Sequence, residues 1–141
     1  MSGVAMHYQT LLAEVYAWMF GGFEAGLRQN RALLDRLGLC RPKGSGHAVD
    51  LGAGCGFQTI PLAERGYKVI AIDSCERLLN ELRAHAGTGP RICTAPGDLM
   101  EFECHLSGPV ELVTCMTDTL LQLDSAEQVT MLFGRVLQAL E

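Results

Sequence analysis

Residues 47–73, which read HAVDLGAGCGFQTIPLAERGYKVIAID, constrain the fold of this chain more than any other stretch. The short apolar run from Ala48 to Leu51 is interrupted only by Asp50, which is typical of a buried parallel strand. Three glycines follow at alternate positions, and glycine lets the backbone turn sharply and approach a ligand closely. A helical stretch that ends near Gly66 and a second apolar run that ends at Asp73 complete the pattern. The sequence therefore predicts a strand, a glycine turn, a helix and a second parallel strand.

The position of Asp73 predicts a nucleotide site. In a right-handed βαβ unit, the glycine turn and the end of the next strand meet at the carboxyl edge of the sheet. Asp73 follows Gly52 by about 20 residues, a spacing at which an acid accepts hydrogen bonds from ribose hydroxyls. The dinucleotide pattern G-x-G-x-x-G is not met, because Phe57 stands where its third glycine would be. A phosphate loop would need a Lys-Ser/Thr pair, which is absent. A nicotinamide oxidoreductase is therefore the disfavoured alternative.

The alternating glycines and the acid before them resemble the first motif of the class I S-adenosylmethionine-dependent methyltransferases. The resemblance rests on Asp50, Gly52, Gly54 and Gly56. It continues downstream with Asp98-Leu99 after a predicted third strand and with a predicted fourth strand at 110–116. The resemblance implies a Rossmann-like three-layer α/β/α fold with a mostly parallel sheet. It also implies S-adenosylmethionine as the cofactor and S-adenosylhomocysteine as its product.

The same resemblance implies roles for individual residues. The glycine turn would pass under the methionine and ribose of the cofactor, and Asp73 would bind the ribose hydroxyls. Asp98 would bind the adenine amino group while Leu99 packs on the ring, although Asp98 also fits a helix cap or a turn. Asp50 would contact the methionine amino group, directly or through water, or would instead cap the glycine turn. The predicted cofactor-binding set is Asp50, Gly52, Ala53, Gly54, Gly56, Asp73, Ser74, Asp98, Leu99 and Met116.

Two helices are predicted before the first strand. Apolar residues between Tyr8 and Met19 recur at helical spacing, a glycine pair breaks the pattern, and a second helix is expected from about Phe23 to Leu37. The length fits a single domain, 1–141, with a helical cap at 1–40 and an incomplete cofactor-binding core at 41–141. In the family such helices fold over the cofactor cleft. The candidates for a lid or acceptor pocket are Tyr8, Tyr16 and Trp18, although both tyrosines also fit an ordinary core.

The acceptor side is less specified than the cofactor side. Methyl transfer needs acceptor and methyl group held in line, and it needs a base only if the acceptor must lose a proton. No catalytic residue is identified; Asp118 and His7 are the candidates for a base, and Asp118 fits an exposed turn better than a catalytic role. Thr117 is expected in the acceptor pocket. The sequence after the fourth strand lacks the Asp/Asn-Pro-Pro-aromatic pattern of methyltransferases that act on base amino groups, so a small-molecule acceptor is expected.

Charge and composition narrow the choice of partners. The formal net charge is −5 and no basic stripe is present, which weighs against a nucleic acid partner. No apolar run approaches the roughly 18–20 residues of a membrane span, and the first residues do not resemble a signal peptide. The six cysteines contain no C-x-x-C pair, so reduced thiols in the cytoplasm are expected. No metal site is predicted, because Cys104, His105 and His85 match no zinc spacing.

The number of predicted strands departs from the family pattern. Class I methyltransferases have seven strands, whereas four are predicted here, so we expect a core truncated after about four strands. The fourth strand would then present an open edge. The sequence leaves three explanations: a fragment of a longer protein, a homodimer or partner chain that covers the edge, or a non-catalytic module that binds the cofactor.

Overall fold

The computed structural model describes residues 13–141, so His7 and Tyr8 lie outside the described residues. The described chain forms a four-stranded parallel sheet with helices on both faces and two helices before it. The predicted Rossmann-like α/β/α architecture is therefore confirmed. In chain order the elements are α1 Ala13–Met19, α2 Phe23–Arg36, β1 His47–Leu51, α3 Thr59–Glu64, β2 Lys68–Asp73, α4 Glu76–Ala86, β3 Ile92–Pro96, the 3₁₀ segment Leu99–His105, β4 Leu112–Cys115, the 3₁₀ segment Thr119–Gln122 and α5 Ala126–Ala139.

The strand order is β3-β2-β1-β4, and every pairing is parallel. The connection from β1 runs to β2 on one side, and the connection into β4 returns to the other side of β1. In open parallel sheets, ligands bind at the carboxyl edge near such a reversal of strand order. The register places Asp50 opposite Ala71 on β2 and Thr114 on β4. The carboxyl ends of all four strands therefore converge on one edge.

Two apolar layers cover the sheet, as the alternation of side chains along a strand requires. On one face, Ala48 and Val69 pack with Leu34 and Leu62 of the helices before and after β1. On the other face, Val49, Leu51 and Ile72 pack with Phe102 of the 3₁₀ segment and Leu132 of α5. Burial of this apolar surface is the main stabilising contribution to such a fold.

The last helix is less buried than its apolar pattern predicts. Leu132 is only 2% exposed, and Val136 packs partly against the same cluster. Phe133 and Leu137, by contrast, are 55% and 72% exposed. These two residues are separated by one helical turn and therefore lie next to each other on the outer surface of α5.

The fourth strand is shorter than predicted. It runs from Leu112 to Cys115, whereas Val110 pairs with Leu140 in an isolated parallel bridge. Val110 donates its backbone N–H to the carbonyl of Ala139 at 2.9 Å and accepts from the N–H of Glu141 at 3.1 Å. Within residues 13–141, the sheet pairing of β4 itself is with β1 alone.

Three further observations bear on the sequence predictions. Among the described residues, no helix is both long enough and apolar enough to cross a membrane. The cysteines at positions 40, 55, 75, 93, 104 and 115 are all free thiols. From residue 13 onward, no group of three His, Cys, Asp or Glu side chains is arranged to hold a metal ion.

Candidate functional site

A groove of about 610 Å³ opens at the carboxyl edge of the sheet. Its walls come from the turn after β1, the ends of β2 and β3, and the loop between β4 and α5. The polar and apolar side chains that line it are Ile72, Asp73, Ser74, Asp98, Leu99, Met100, Thr119, Gln122, Leu123, Asp124 and Gln128. Toward α1 the groove narrows into a cavity of about 30 Å³ that shares Gly52, Asp73 and Thr119 with it and is also bounded by Tyr16, Gly54 and Thr117.

Asp73, at the end of β2, connects the glycine turn to the groove. Its Oδ2 accepts a hydrogen bond from the N–H of Gly54, and its Oδ1 accepts one from the N–H of Cys75, both at 2.8 Å. Burial raises the pKa of the Asp73 carboxyl, and the two backbone hydrogen bonds oppose that shift. A carboxylate has about four acceptor positions, so Asp73 can accept further hydrogen bonds from hydroxyl groups in the groove.

At two positions of the glycine turn, neighbouring side chains leave no room for a Cβ atom. Gly52 has a φ of +70°, and a Cβ built on it would lie 2.4 Å from the Thr119 side chain. A Cβ on Gly56 would lie 2.2 Å from Leu82. Gly52 and Gly54 line the groove or its narrow end, whereas Ala53 and Gly56 are buried beneath it. Only part of the predicted glycine set therefore borders the groove.

Asp50 differs from its predicted place in the groove. The residue is 0% exposed, and its two oxygens accept hydrogen bonds from the hydroxyls of Thr59 at 2.6 Å and Thr114 at 2.8 Å. Burial raises the pKa of Asp50 to about 6. Because both hydroxyls come from neighbouring elements, the carboxyl links β1 to the start of α3 and to β4. Asp50 thus lies in the core below the turn and does not reach the groove.

Asp98 and Leu99 follow β3, whose end pairs with the end of β2, and both line the groove. Asp98 caps the following 3₁₀ segment, because its Oδ1 accepts a hydrogen bond from the N–H of Met100 at 2.8 Å. The residue is nevertheless exposed and lines the groove, so the cap and a ligand contact are compatible. Leu99 and Met100 provide the apolar surface beside it.

Tyr16 on α1 covers the glycine turn. Its ring stacks on Phe57 at a centroid distance of 5.9 Å, and a Cβ built on Gly54 would lie 3.5 Å from Cε1 of the tyrosine. The hydroxyl of Tyr16 hydrogen-bonds Thr117, and burial raises the pKa of Tyr16 to about 12. Tyr16 therefore bounds the narrow end of the groove and also belongs to an aromatic cluster.

Trp18 does not contribute to the groove, contrary to the sequence prediction. Its side chain is 77% exposed and lies outside the groove lining. Two residues correspond to a rotation of about 200° around a helix, so Trp18 faces nearly away from Tyr16. The lid role predicted for Tyr8 concerns a residue outside the described part of the chain.

The residues after β4 form the remaining side of the narrow end. Thr117 has a φ of +58°, which is uncommon for a β-branched residue. Asp118 lies beside it, half-buried, and bounds the same narrow cavity. Met116 lies behind this wall: its carbonyl accepts hydrogen bonds from the hydroxyls of Thr117 at 2.7 Å and Thr119 at 2.9 Å. Met116 therefore supports the loop through its backbone and is not among the residues that line the groove.

Several lining residues were not predicted from the sequence. They belong to the loop before α5 and to its first turn: Gln122, Leu123, Asp124 and Gln128. The available signal in the sequence was Ser125 followed three residues later by Gln128, a capping-box pattern that marks the start of a helix, and the structure contains it. Ser125 accepts a hydrogen bond from the N–H of Gln128 at 3.3 Å, and Gln128 in turn accepts from the N–H of Asp124 at 3.0 Å. A helix that follows a parallel strand begins at the carboxyl edge, so this helix start had to lie near the groove.

Comparisons with known proteins agree on the fold. The family model for the methyltransferase domain matches residues 48–140. None of the curated proteins matches the chain. Magnesium protoporphyrin IX methyltransferase from Synechocystis PCC 6803, solved with bound S-adenosylmethionine, is similar with a TM-score of 0.74 and 19% identity, over 98% of this chain and 70% of that one.

Two other solved structures are similar over a smaller part of their length. A glycopeptide N-methyltransferase has 26% identity and a TM-score of 0.62, over 82% of this chain and 53% of that one. An amino pentose methyltransferase from Micromonospora echinaspora, solved with bound S-adenosylmethionine, has 21% identity and a TM-score of 0.66, over 82% of this chain and 47% of that one. The chain thus spans about half the length of these two enzymes.

Proposed function

This chain belongs to the class I S-adenosylmethionine-dependent methyltransferase family, and we propose that its groove binds S-adenosylmethionine and directs the methyl group to a small-molecule acceptor. The observation that carries the proposal is the presence of Asp73 and Asp98 in the lining of one groove, at the ends of the neighbouring strands β2 and β3 and beside the turn that contains Gly52 and Gly54. Each of these acids accepts a hydrogen bond from a backbone N–H of its own. No structural role common to both therefore explains why they line the same groove.

The groups at each strand end fit one part of the nucleoside. Asp73 accepts hydrogen bonds from the ribose hydroxyls while it also accepts one from the backbone of the glycine turn. A charge-assisted hydrogen bond of this kind contributes about 1.5–3 kcal/mol. Asp98 accepts a hydrogen bond from the adenine amino group, and Leu99 and Met100 pack on the adenine ring. Ser74 provides a further hydroxyl at the rim of the groove. Asp50, Ala53, Gly56 and Met116 act indirectly, by supporting the turn and the loop after β4.

The chemistry of the reaction places modest demands on the protein. When bound, S-adenosylmethionine supplies a methyl group activated by its sulfonium. The residues of this chain orient the acceptor toward that group and exclude water, which is where most of the catalytic gain arises. Tyr16 and Thr117 bound the end of the groove where an acceptor approaches. Asp118 is the candidate base for an acceptor that must lose a proton, and His7 remains a second candidate outside the described residues.

The charge of the groove favours a neutral or cationic acceptor. Its described lining includes the carboxylates of Asp73, Asp98 and Asp124, together with Asp118 at the narrow end, and within that lining no lysine or arginine is present. Such a surface repels the phosphates of a nucleic acid. The solved relatives are named for porphyrin, glycopeptide and amino pentose acceptors, and we propose an acceptor within that general range of small molecules. The free cysteines support a reducing, cytoplasmic location.

A second candidate function is a non-catalytic S-adenosylmethionine-binding module that acts through a second chain. The exposed pair Phe133 and Leu137 and the outer edge of β4 offer a surface through which such a module would act. Exposed apolar patches of this kind usually mark interfaces. We propose that a second copy of the chain packs on this surface, and the proposal is compatible with either function.

Calorimetric titration with S-adenosylhomocysteine, followed by incubation with radiolabelled S-adenosylmethionine and a panel of amine and hydroxyl acceptors, tests the proposal. Binding together with methyl transfer supports the enzyme. Binding of S-adenosylhomocysteine without methyl transfer to any acceptor, at low and at high concentration of the protein, favours the non-catalytic module. Absence of S-adenosylhomocysteine binding together with tight binding of NADH would replace both by the oxidoreductase alternative.

A further inference from the structure

A second cavity, of about 130 Å³, lies at the amino edge of the sheet, at the opposite ends of the strands from the groove. Its lining comes from the first residues of β1 and β2, from the start of β3 and from the loop after the 3₁₀ segment Leu99–His105. None of these residues lines the groove. Lys68 begins β2 and Asp73 ends it, so this amino-edge cavity and the groove are separated by roughly 15–17 Å along the strand.

The segment between β3 and β4 leaves this end of the sheet partly uncovered. Phe102 is the buried residue of its 3₁₀ segment, whereas Ile70 on β2 is only partly buried and Cys93 on β3 is exposed. Ile70 and Cys93 pair in the register of the two strands, so their side chains lie on the same face. Together with Leu106 and Val110, they make a large part of the lining of the cavity apolar.

Three nitrogen-bearing side chains form a row across the amino ends of the strands. Lys68 pairs with His47 on β1, and Arg91 directly precedes Ile92, which pairs with the residue after Lys68. Neighbouring strands are about 4.8 Å apart, so the row spans roughly 10 Å. All three residues line the cavity, whereas its lining within residues 13–141 contains no Asp or Glu. The cavity is therefore cationic in a chain whose formal net charge is −5.

The two cations of this row have hydrogen-bond donors available. Arg91 donates one N–H to the carbonyl of Gly66 at 2.7 Å, and a guanidinium has five such donors. Lys68 is exposed, and in the described part of the chain neither Lys68 nor Arg91 forms an ion pair with a carboxylate. Four arginines elsewhere do form such pairs. A carboxylate brought by a ligand would therefore meet two cations that lack an acidic partner.

The volume of the amino-edge cavity suits a benzene-sized ring, because apolar cavities of about 150 Å³ bind benzene in other proteins. We propose that this cavity is a binding site for a small aromatic carboxylate. The ring packs beside Ile70, Leu106 and Val110, and the carboxylate accepts charge-assisted hydrogen bonds from Lys68 and Arg91. The site goes beyond the proposed cofactor function, and a ligand bound there leaves the groove at the carboxyl edge free.

Benzoate is the probe for this site, and calorimetry on the full chain is the measurement. Benzoate should bind at least about fivefold more tightly than benzamide, which has a similar shape without the charge, and than acetate, which lacks the ring. Lys68→Gln should weaken benzoate binding about threefold or more. Lys43→Gln is the matched control, because it removes the other lysine of the chain, which is exposed and outside the cavity, and it should leave benzoate binding unchanged.

Alkylation of cysteines locates the bound probe. Cys93 lines the cavity and is exposed, whereas Cys40 is exposed but lies outside the cavity. Saturating benzoate should slow the reaction of Cys93 with iodoacetamide and leave the rate at Cys40 unchanged. Mass spectrometry of the digested chain measures both rates in the same sample, so Cys40 is an internal control for any general effect of benzoate on the protein or the reagent.

Three outcomes would overturn the site. They are the absence of benzoate binding by the wild type at concentrations up to about 10 mM, equal affinity for benzoate and benzamide, and benzoate binding that leaves the alkylation of Cys93 unchanged. Equal benzoate binding by Lys68→Gln and Lys43→Gln would remove the proposed role of the cation and the site with it. None of these measurements involves S-adenosylhomocysteine, so failure of this site and failure of the proposed function are detected separately.

Discussion

The carboxylate of Asp73 accepts a hydrogen bond from the backbone N–H of Gly54 at 2.8 Å. The tip of β2 is thereby joined to the turn after β1, and the same carboxylate lines the groove. An acid that is already fixed by the protein loses little conformational freedom when it binds a ligand, which favours affinity. The relationship therefore joins a structural role to the proposed binding role of the same side chain.

Replacement of Asp73 by Ala should weaken S-adenosylhomocysteine binding by about tenfold or more. The expected loss corresponds to a charge-assisted hydrogen bond of about 1.5–3 kcal/mol, and the turn also loses its tether. Isothermal titration calorimetry measures the effect. Glu101→Gln is the control, because it removes an exposed carboxylate on the 3₁₀ segment outside the groove lining. A dissociation constant equal to that of the wild type would reject the ribose assignment.

Two substitutions at Asp98 should separate its cap from its proposed adenine contact. Serine is a good N-cap residue, so Asp98→Ser should retain the melting temperature, whereas Asp98→Ala should lose about 0.5–2 kcal/mol of stability. Both variants lack the carboxylate and should bind adenosine more weakly. Thermal denaturation and calorimetry on the same samples test this. If Asp98→Ser binds adenosine as tightly as the wild type, the residue is only a cap.

The buried carboxyl of Asp50 should make stability depend on pH. Its pKa is raised to about 6 in the folded chain, above the ordinary value of 3.8. The folded state therefore binds more protons than the unfolded state between these values, and the contribution of Asp50 to stability is greatest below pH 4 and is lost as the pH rises through about 6. At pH 7 the shift corresponds to a cost of about 3 kcal/mol.

Asp50→Asn cannot ionise and should remove that dependence. The difference in free energy of unfolding between Asp50→Asn and the wild type should increase by about 2.5 kcal/mol from pH 4 to pH 7. Urea denaturation at a series of pH values measures it, with Glu101→Gln as the baseline for loss of one exposed carboxylate. A difference that stays constant across this range would show that the buried carboxyl of Asp50 does not titrate with a raised pKa.

Gly52→Ala should destabilise the fold by about 2–5 kcal/mol. An L-residue in the left-handed region costs about 1–2 kcal/mol, and overpacking against Thr119 adds about 1–3 kcal/mol. Thr119→Ala in the same chain should recover part of the overpacking cost but none of the backbone cost. Gly134→Ala in α5 is the matched control, since a Cβ there meets nothing within 4 Å, and it should stabilise by about 0.5–1 kcal/mol. Equal effects at the two glycines would contradict the packing argument.

The exposed pair on α5 should control self-association. The double substitution F133E/L137K replaces the apolar patch by a Glu–Lys pair one turn apart, an arrangement that supports a helix. We expect the wild type to sediment as a dimer at micromolar concentration and the variant as a monomer with a similar melting temperature. The F133L/L137M variant, which keeps the patch apolar, should remain a dimer. A monomeric wild type would exclude this interface.

The sequence by itself determined the order of the elements and the location of the groove. Apolar periodicity and glycines are local signals, so the strands, the turn at Gly52 and the acid at the end of β2 were predictable from short windows. The parallel connection then requires the turn and Asp73 to meet at one edge. The proposed adenine side, at Asp98 and Leu99, follows in the same way from the position of the third strand.

Only the tertiary structure decided which residues face the groove. Asp50 is buried because Thr59 and Thr114 satisfy its carboxyl, and Thr114 is 64 residues away in the sequence. Tyr16 meets Thr117 through packing of α1 on Phe57, whereas Trp18, two residues later, faces solvent. Such contacts join residues that are remote in sequence, and local periodicity does not specify which side chains they bring together. Their geometry depends on how the layers of the fold pack against one another.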